Sequence, residues 1–316
     1  MHNTIITAGI DTSKAKLDVA VHGSQQYWQA ENSISGWKML AKLFAELGVQ
    51  RAGIEATGGY ERGVVAHLRA HGITVIVLQP AQVKAYARAR LRRAKNDKLD
   101  AALIAEFTHS IAELRPEPDK RLDLLAQDLT FVEQIEDDMV RLKTRLEHTE
   151  NKRLSRMFTA DIARLKLRRA VELKRIAAAL NAHPDLAHRL SLVLSVPGIG
   201  QRTALSLIVR MPELGHVSRE QAAALAGLAP YDDDSGKHRG LRHIAGGRGR
   251  VRRSLYAAAL PAAFRWNSSL VALYQRLTAA GKAHKTALVA CARKLLIYAN
   301  TVLQRGSPWL EKTAAL

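Results

Sequence analysis

The sequence predicts an α/β domain with a mixed sheet, followed by a long helical segment and a mostly helical C-terminal domain. Three observations lead to this prediction. Strand-like and helix-like segments alternate up to about residue 112. Residues 119–182 contain no glycine or proline, and their apolar residues recur every three or four positions. The remainder consists of apolar helices separated by glycine turns, and 316 residues are enough for two or three hydrophobic cores.

The first part opens with strands. Residues 4–10, 17–21 and 26–31 each predict a strand, and a helix is predicted for residues 35–47. A short strand then ends at Glu55, a helix covers residues 60–70, and the continuous apolar run of residues 73–78 is typical of a buried parallel strand. An opening hairpin followed by strand–helix alternation predicts a mixed sheet.

Four acidic residues in this part occupy positions that suit a metal ligand. Asp11 and Glu55 each end a strand, while Asp97 and Asp100 open a predicted helix that Asn96 caps, on one face of that helix. A cap or a surface charge explains any one of them about as well, but together they favour a shared cation. Metal ligands at two strand ends and on a later helix are what a ribonuclease-H-like nuclease core requires.

Carboxylate ligands suit Mg²⁺ or Mn²⁺, which bind carboxylates and water and act beside substrate phosphates. Zinc is not expected, because a chain with one cysteine has no Cys-x-x-Cys site. That cysteine, Cys291, falls in an apolar helical pattern and is expected in the core. The absence of a disulfide, of a signal peptide and of a continuous apolar span of about 20 residues leads us to expect a cytoplasmic protein.

The composition predicts a polyanionic partner. The chain has 48 Lys and Arg against 29 Asp and Glu, a net charge of +19, which favours nucleic acid over a small neutral metabolite. The basic residues cluster in two segments beside the unusual motifs, so that phosphate contact is favoured over a merely solvated face. The residues expected to contact nucleic acid are Arg88, Arg92, Arg93, Lys95, Lys237, Arg239, Arg242, Arg248, Arg250, Arg252 and Arg253.

Pro116 and Pro118 mark the start of the second part, a long helical segment. Its apolar seam consists of Leu122, Leu125, Leu129, Val132, Ile135, Met139 and Leu142. Such a seam predicts a helical hairpin or a coiled coil. It does not distinguish the pairing of subunits from packing against the same chain.

The third part contains a glycine turn and a serine loop. Residues 196–200, Val-Pro-Gly-Ile-Gly, predict the turn of a helix-hairpin-helix, where backbone amides can bind a phosphate, although an ordinary turn has nearly the same sequence. A helix ending near Gly227 is followed by a polar loop over residues 229–240. Ser235 in that loop precedes a glycine and a block of arginines, as a phosphoryl-transfer nucleophile would, although serine is common in loops.

In order and spacing, these motifs resemble those of the insertion-sequence one-ten family of transposases. The resemblance covers nearly the whole chain, through residues 9–11, 54–58, 95–101, 196–200, 226–230, 234–237, 246–253 and 281–296. It implies a DNA recombinase with an N-terminal domain similar to the Holliday-junction resolvase RuvC (residues 1–115), a coiled-coil linker (116–185) and a C-terminal transposase domain (186–316).

The resemblance also implies roles for individual residues and a set of partners. Asp11, Glu55, Asp97 and Asp100 match the family's metal-binding acids, and Ser235 matches its catalytic serine. Members of the family work as tetramers and are guided by a structured RNA that pairs with donor and target DNA. The implied partners are therefore both DNAs, the guide RNA and further copies of the chain, at the nucleoid.

Departures from the family pattern leave alternatives open. Asn96 replaces a threonine, Ser268 replaces a proline, and Ser254 replaces a small apolar residue, which makes Ser254 a rival nucleophile inside a predicted helix. A plain metal-dependent, structure-selective nuclease would use the acids and water without Ser235. A non-catalytic nucleic-acid scaffold, or an actin-like phosphate-binding fold suggested by residues 9–14, is the third possibility.

Overall fold

The structure is a computed structural model, which describes residues 5–91, 96–112, 119–231, 234–235, 238–239 and 243–310. Its contacts divide the chain into two compact units, Met1–Pro116 and Glu117–Leu316. The long helical hairpin belongs to the second unit.

Unit one contains a five-stranded mixed sheet, as predicted. The strands are β1 (Thr7–Thr12), β2 (Lys16–Val21), β3 (Tyr27–Glu31), β4 (Arg51–Glu55) and β5 (Thr74–Leu78). Their order is β3-β2-β1-β4-β5. The first three strands pair antiparallel, whereas β4 runs parallel to both β1 and β5. The carboxyl ends of β1, β4 and β5 therefore meet at one edge of the sheet.

Helices cover both faces of this sheet. They are α1 (Ile34–Glu46), α2 (Arg62–Ala70), α3 (Pro80–Ala89) and α4 (Asp97–His109). Side chains of α1 and α2, such as Phe44 and Leu68, pack with Ile10 and Ile54 of the sheet in the larger core. A smaller core joins Val83 of α3 to Ile104 of α4. Side chains alternate between the faces of a strand, so residues next to Ile10 face the opposite side.

Unit two begins with a helical hairpin formed by α5 (Lys120–Glu147) and α6 (Lys152–Asn181), capped by Asp119 and Asn151. The seam residues of α5 from Leu122 to Val132 are buried in the same core as Leu173 and Leu180 of α6. Met139 and Leu142, nearer the hairpin tip, are only half-buried. The base of the seam therefore packs within the chain.

The rest of unit two is mostly helical, as predicted. Its elements are α7 (Pro184–Leu194), α8 (Gln201–Arg210), α9 (Arg219–Ala226), α10 (Gly249–Pro261), a π-helical turn (Ala262–Trp266), α11 (Ser268–Ala279) and α12 (His284–Arg305). In length and hydropathy α12 is the one helix in the described ranges that would suffice to cross a membrane. Its residues Leu288, Cys291 and Leu295 are fully buried in the core of unit two, which is the position of a core helix.

Four two-residue strands interrupt the helices: β6 (Pro230–Tyr231), β7 (Asp234–Ser235), β8 (His238–Arg239) and β9 (His243–Ile244). β6 pairs antiparallel with β9, and β7 pairs antiparallel with β8. The described residues of the predicted polar loop therefore pair in two short antiparallel ladders.

Candidate metal and phosphoryl-transfer site

The ends of β1 and β4 place Asp11 and Glu55 side by side. Ile10 pairs with Ile54 in the parallel register of these strands, and each acid follows its isoleucine directly. Neighbouring strands lie about 4.8 Å apart, and both acids face the side of the sheet opposite the isoleucines. The structure therefore brings these two predicted site residues to one edge and one face.

Helix α4 lies directly on this face because two glycines leave room for it. A Cβ atom added to Gly9 would come 2.2 Å from the carbonyl oxygen of Ala101, and one added to Gly53 would come 1.7 Å from Thr108 Oγ1. Residues 9 and 11, like 53 and 55, share a face of their strand. The helix passes Gly9 with its middle and Gly53 with its last turn, so its first turn lies nearer to Asp11 than to Glu55.

The start of α4 carries Asp97 and Asp100, as predicted. The Asn96 side chain accepts a hydrogen bond of 2.8 Å from the backbone nitrogen of Leu99, which confirms the predicted cap. The pKa of Asp11 is raised, first by burial and then by the negative charge of Asp100, with smaller effects of Asp18 and Asp97. Carboxylates from β1 and α4 are therefore close enough to repel one another.

Asp18 is a fifth acid at this site and was not among the predicted residues. It pairs with Asp11 across β1 and β2, so both side chains lie on the same face. Burial would raise the pKa of Asp18, but hydrogen bonds from Tyr27, Gln29 and Lys16 outweigh it and hold the pKa below its ordinary value. An aspartate in the middle of an apolar strand was the one signal in the sequence that pointed to it.

Lys16 joins Asp18 to Asp97. Its Nζ atom lies 2.5 Å from Asp97 Oδ2 and 3.3 Å from Asp18 Oδ2. The hydrogen bond with Asp97, followed by that with Asp18, raises the pKa of Lys16, which is therefore charged at any physiological pH. The ammonium group partly balances the negative charge gathered at the strand ends.

The donor set fits a hard divalent cation. It consists of carboxylates, and the pKa of Asp11 is raised by burial and then by the neighbouring acids, both of which a bound cation would offset. In the described ranges no three His, Cys, Asp or Glu side chains yet converge closely enough to hold an ion. Asp97 instead turns toward Lys16. A cation shared by these acids would therefore require their side chains to rotate.

Ser235 belongs to unit two, on β7. Its backbone pairs with His238, and the flanking residues Pro230 and Tyr231 pair with Ile244 and His243. The side chains of residues 232–242 lie outside the described residues, including those of Ser235 and the predicted nucleic-acid contacts Lys237, Arg239 and Arg242. Ser235 thus lies on a short paired strand, in the part of the sequence between the paired strands β6 and β9.

Two glycines lie on either side of the segment that carries Ser235, residues 228–246, which we call the serine segment. Gly227 ends α9 in the left-handed conformation, with φ of 68°, and Gly247 has φ of 64°. A Cβ atom added to Gly247 would lie 2.1 Å from the backbone nitrogen of Gly227, so the two segments touch backbone to backbone. Arg252 strengthens the contact by donating to the carbonyl oxygens of Gly227 and Gly246. The start and return of the serine segment are therefore held together.

The rival nucleophile Ser254 is enclosed in the core. Its side chain in α10 is 4% exposed, and its hydroxyl lies 3.1 Å from Thr203 Oγ1. A scissile phosphate cannot reach it without disruption of the packing between α8 and α10. Cys291 is likewise buried, and burial raises the pKa of its thiol to about 11, so it remains an inert core residue.

The described arginines among the predicted nucleic-acid contacts differ in their surroundings. Arg248 pairs with Glu213, Arg250 pairs with Glu133, and Arg252 binds the carbonyl oxygens described above. Arg253 is largely exposed and lies 3.8 Å from Asp137. Arg88 is exposed on α3, whereas Arg92, Arg93 and Lys95 lie outside the described residues. Four of these cations, Arg248, Arg250, Arg252 and Arg253, thus already have contacts inside the chain.

The glycine turn between α7 and α8 is partly explained by packing. Gly198 has φ of 96°, and a Cβ atom there would lie 2.4 Å from the Cβ of Ala262. The side chain of Asn267 also donates to the carbonyl oxygen of Pro197 at 3.0 Å. Gly198 is therefore needed for close contact with the π-helical turn, and a phosphate-binding role of the turn stays a prediction.

Two stretches of the chain match transposase families. Residues 8–159 match a DEDD family of IS110 type described as "Transposase", and residues 190–275 match the family described as "Transposase IS116/IS110/IS902 family". These two stretches contain the sheet-edge acids and the serine segment, respectively.

Individual relatives agree with these matches. The chain is 28% identical over 262 residues to each of two proteins called "Pilin gene-inverting protein", from Moraxella bovis and Moraxella lacunata, with coverage of 81% of this chain and 80% of theirs. It is 34% identical over 143 residues to an "Insertion element IS110 uncharacterized 43.6 kDa protein" of Streptomyces coelicolor, covering 44% of this chain and 34% of that protein.

Among solved structures, T. thermophilus RuvC in complex with a Holliday junction substrate is similar to part of the chain. The match has 15% sequence identity and a TM-score of 0.26, and covers 32% of this chain and 90% of RuvC. The mixed-sheet architecture of unit one follows from its own strand order, β3-β2-β1-β4-β5.

Proposed function

The chain belongs to the IS110 family of transposases, and on this premise we propose that it cuts and rejoins DNA through a covalent link between Ser235 and a DNA phosphate. The acids of unit one hold a divalent cation, Mg²⁺ or Mn²⁺, that this reaction requires. A structured RNA guides the choice of donor and target DNA, and the working assembly is a tetramer.

The observation that carries the proposal is the presence of acids at two adjacent strand ends and on the first turn of the helix that covers the same face of the sheet. Asp11 and Glu55 come from adjacent strand ends, Asp97 and Asp100 come from the first turn of the helix, and the pKa of Asp11 is raised by burial and by its acidic neighbours. Like charges that are brought together destabilise a fold, which supports a role for these acids in binding a cation. The residues that would hold it are Asp11, Glu55, Asp97 and Asp100.

A divalent cation at these carboxylates would supply Lewis-acid polarisation of the scissile phosphate. The chain's own residues do the rest. Lys16 balances part of the negative charge of Asp97 and Asp18 at the edge of the site, and Asn96 fixes the first turn of α4 from which Asp97 and Asp100 project. The basic residues around Ser235 hold the DNA backbone in place.

In the covalent step, the Ser235 hydroxyl oxygen forms a bond to phosphorus as the bond between phosphorus and the 3′ oxygen breaks. The serine loses its proton, and the departing 3′ oxygen gains one, so that a 3′-hydroxyl and a phosphoserine ester result. The phosphoserine ester retains the free energy of the broken DNA phosphodiester bond. Attack by the 3′-hydroxyl of another strand reverses the step and rejoins DNA without an external energy source.

Because the acids and Ser235 lie in different units, we infer that a complete site combines the acids of one subunit with the serine of another. A mixture of an Asp97→Asn protein with a Ser235→Ala protein tests this directly. Neither variant alone should recombine DNA, and mixed oligomers should recover part of the activity. If mixing restores nothing although the two proteins co-assemble, each site is built within a single subunit.

The central experiment is to trap the covalent intermediate. Wild-type protein, Ser235→Ala and Ser254→Ala are incubated with Mg²⁺ and a labelled DNA substrate, then separated under denaturing conditions. The adduct should be absent with Ser235→Ala and retained with Ser254→Ala, because Ser254 is enclosed in the core. An adduct that survives Ser235→Ala would contradict the proposed nucleophile.

The same reaction distinguishes recombination from simple hydrolysis. A metal-dependent nuclease would give cut DNA ends without an adduct, and Ser235→Ala would leave its rate unchanged. Asp97→Asn should lower the rate by a factor of about 100 or more under either mechanism, since it removes a metal ligand. The adduct, and not the loss of activity in Asp97→Asn, is therefore the decisive measurement.

A further inference from the structure

Two aromatic side chains project into solvent from the π-helical turn of unit two. Phe264 is 54% exposed and Trp266 is 57% exposed, and both follow directly on α10. Exposed aromatic rings that lie close together often mark a binding surface, and π-helical turns occur frequently at functional sites. We call residues Phe264, Arg265 and Trp266 the aromatic turn.

The backbone of the aromatic turn is firmly held. Ala262 and Ala263 are buried in the core, and Ala262 contacts the tightly packed Gly198. On the other side, the buried Asn267 caps α11 by accepting from the backbone nitrogen of Leu270 and donates to Pro197. The rings are therefore presented from a rigid support, which lowers the entropy cost of binding.

The two rings have different surroundings. Phe264 packs edge-on against Tyr274 with a centroid separation of 4.9 Å and faces His284 at 6.2 Å. The hydroxyl of Tyr274 lies 2.6 Å from His284 Nδ1, so these two side chains orient each other. Trp266 has no ring contact within the described part of the chain. Its indole face is therefore open to a partner.

The stretch of sequence that contains the aromatic turn has no acidic residue. No aspartate or glutamate occurs from Ser235 to Leu310 in the sequence. Exposed cations lie on the turn itself and on the adjoining ends of α11 and α12, namely Arg265, Arg276, Lys282 and Lys285. None of these four has an ion-pair partner among the residues that the structure describes, unlike Arg248 and Arg250. The surface therefore complements a polyanion.

We propose that the aromatic turn binds an unpaired stretch of nucleic acid, with a base stacked on the indole of Trp266 and backbone phosphates bound by Arg265 and the neighbouring cations. The combination of rigid aromatic faces and unpaired cations is the chemistry of single-strand binding. A second copy of this chain is disfavoured as the partner, because two surfaces of the same positive charge would repel each other. This proposal rests on the proposed function only in taking nucleic acid as the partner.

Tryptophan fluorescence gives a direct test. The chain has four tryptophans, and Trp28, Trp37 and Trp309 are each partly buried, so the exposed Trp266 should dominate quenching by a bound base. Unstructured DNA and RNA oligonucleotides are titrated onto the protein in a buffer with a chelator, where no phosphoryl transfer takes place. Quenching is expected with the wild type and should be lost in Trp266→Phe, which keeps an aromatic face.

Measurements of affinity at several salt concentrations separate the contribution of base stacking from that of phosphate contacts. Trp266→Ala should weaken binding by about 5- to 150-fold without changing the salt dependence, since stacking on an aromatic side chain is worth about 1–3 kcal/mol per base. Trp266→Phe should stay within about threefold of wild type for the same reason. Arg265→Gln should reduce the slope of log affinity against log salt by about 0.7 if it releases one phosphate contact on a single strand. Phe131→Ala removes an exposed aromatic ring from α5 and should change neither measurement.

Two results would overturn the proposal. One is a Trp266→Ala protein that is folded by circular dichroism and binds the oligonucleotides as tightly as wild type. The other is a change in sedimentation coefficient caused by Trp266→Ala in the absence of nucleic acid, which would identify an interface between copies of the chain. Because the binding assay requires neither metal nor Ser235, its outcome is independent of whether the serine mechanism is correct.

Discussion

The ammonium group of Lys16 lies 2.5 Å from a carboxylate oxygen of Asp97 and 3.3 Å from one of Asp18. It thus joins a strand of the sheet to the first turn of α4, 81 residues further along the chain. Asp97 is one of the proposed metal ligands, so the lysine and a divalent cation compete for the same carboxylate. On the proposed function, Lys16 balances part of the charge of Asp97 and Asp18 when no cation is bound.

We therefore expect Lys16→Met to bind divalent cations more tightly. Unit charges a few ångströms apart interact measurably even through water, so removal of the ammonium should improve affinity about fivefold or more. Manganese binding to metal-free protein, followed by electron paramagnetic resonance or calorimetry, measures this. Lys14→Met, an exposed lysine two residues away, should have a much smaller effect. Weaker binding by Lys16→Met would mean that the lysine chiefly orients Asp97.

The raised pKa of Asp11 predicts a stability effect with a definite sign. Burial and acidic neighbours raise this pKa above 3.8, so the folded state holds the proton more tightly than the unfolded chain does. The stabilising contribution of the proton is full below pH 3.8 and is lost as the pH rises through the folded-state pKa. At pH 7 the ionised side chain therefore destabilises unit one.

In metal-free buffer at pH 7, Asp11→Asn should raise the melting temperature by a few degrees, since ~1 kcal/mol shifts a domain of about 100 residues by about 4–8 °C. The gain should shrink as the pH falls toward 4. Asp18→Asn is the matched control with the opposite sign, because the pKa of Asp18 is lowered and its charge stabilises the fold above pH 3.8. Equal shifts for the two variants would contradict this account.

The fold of unit one and the strand-end acids were predictable because their signals are local. Apolar runs marked the strands, and Asp11, Glu55 and the Asn96 cap each stand at the end of such a run or at a helix start. The contact of Lys16 with Asp97 was not predictable, because it depends on how α4 crosses the sheet. Asp18 was not predictable for a related reason. Its position opposite Asp11 depends on the register between β1 and β2, which neither strand's sequence specifies alone.

The basic residues show the same limit. Charge clustering predicted nucleic-acid contacts in residues 248–253, but no sequence pattern revealed that Arg250 pairs with Glu133, 117 residues away. Whether Ser254 is accessible as a nucleophile also depends on packing, since a serine inside a helix is exposed or buried according to the face of the helix that meets α8. The aromatic turn was overlooked because Phe264 and Trp266 resemble ordinary apolar residues of a helix.

The close approach of α4 to the sheet predicts a strong effect of Gly53→Ala. The added methyl group would lie 1.7 Å from Thr108 Oγ1, so the helix must move away from β4. Overpacking of this kind costs about 1–3 kcal/mol or more, and urea denaturation should show the loss. Gly249→Ala, at an exposed helix start with open space, should be neutral or slightly stabilising. A displaced α4 also carries Asp97 and Asp100 with it, so manganese affinity should fall in Gly53→Ala but not in the control.

Glu133 is one of the residues that join the helical hairpin to the rest of unit two. Its side chain on α5 is 9% exposed and lies 2.6 Å from Arg210 on α8, with Arg202 at 3.4 Å and Arg250 of α10 also in contact. Arg210 is itself nearly buried. Without the carboxylate its charge would be left in the interior, and loss of one partner of a buried ion pair costs about 3–5 kcal/mol.

Glu133→Gln should therefore destabilise unit two by about 3 kcal/mol in urea denaturation followed by circular dichroism of its helices. Asp137→Asn is the matched control one turn further along α5. Its partner Arg253 lies 3.8 Å away and both side chains are largely exposed, so the cost should be about 0–1 kcal/mol. If both variants lose the same stability, burial does not set the strength of these pairs. If only Glu133→Gln is affected, the hairpin base is held by the buried ion cluster as well as by the apolar seam.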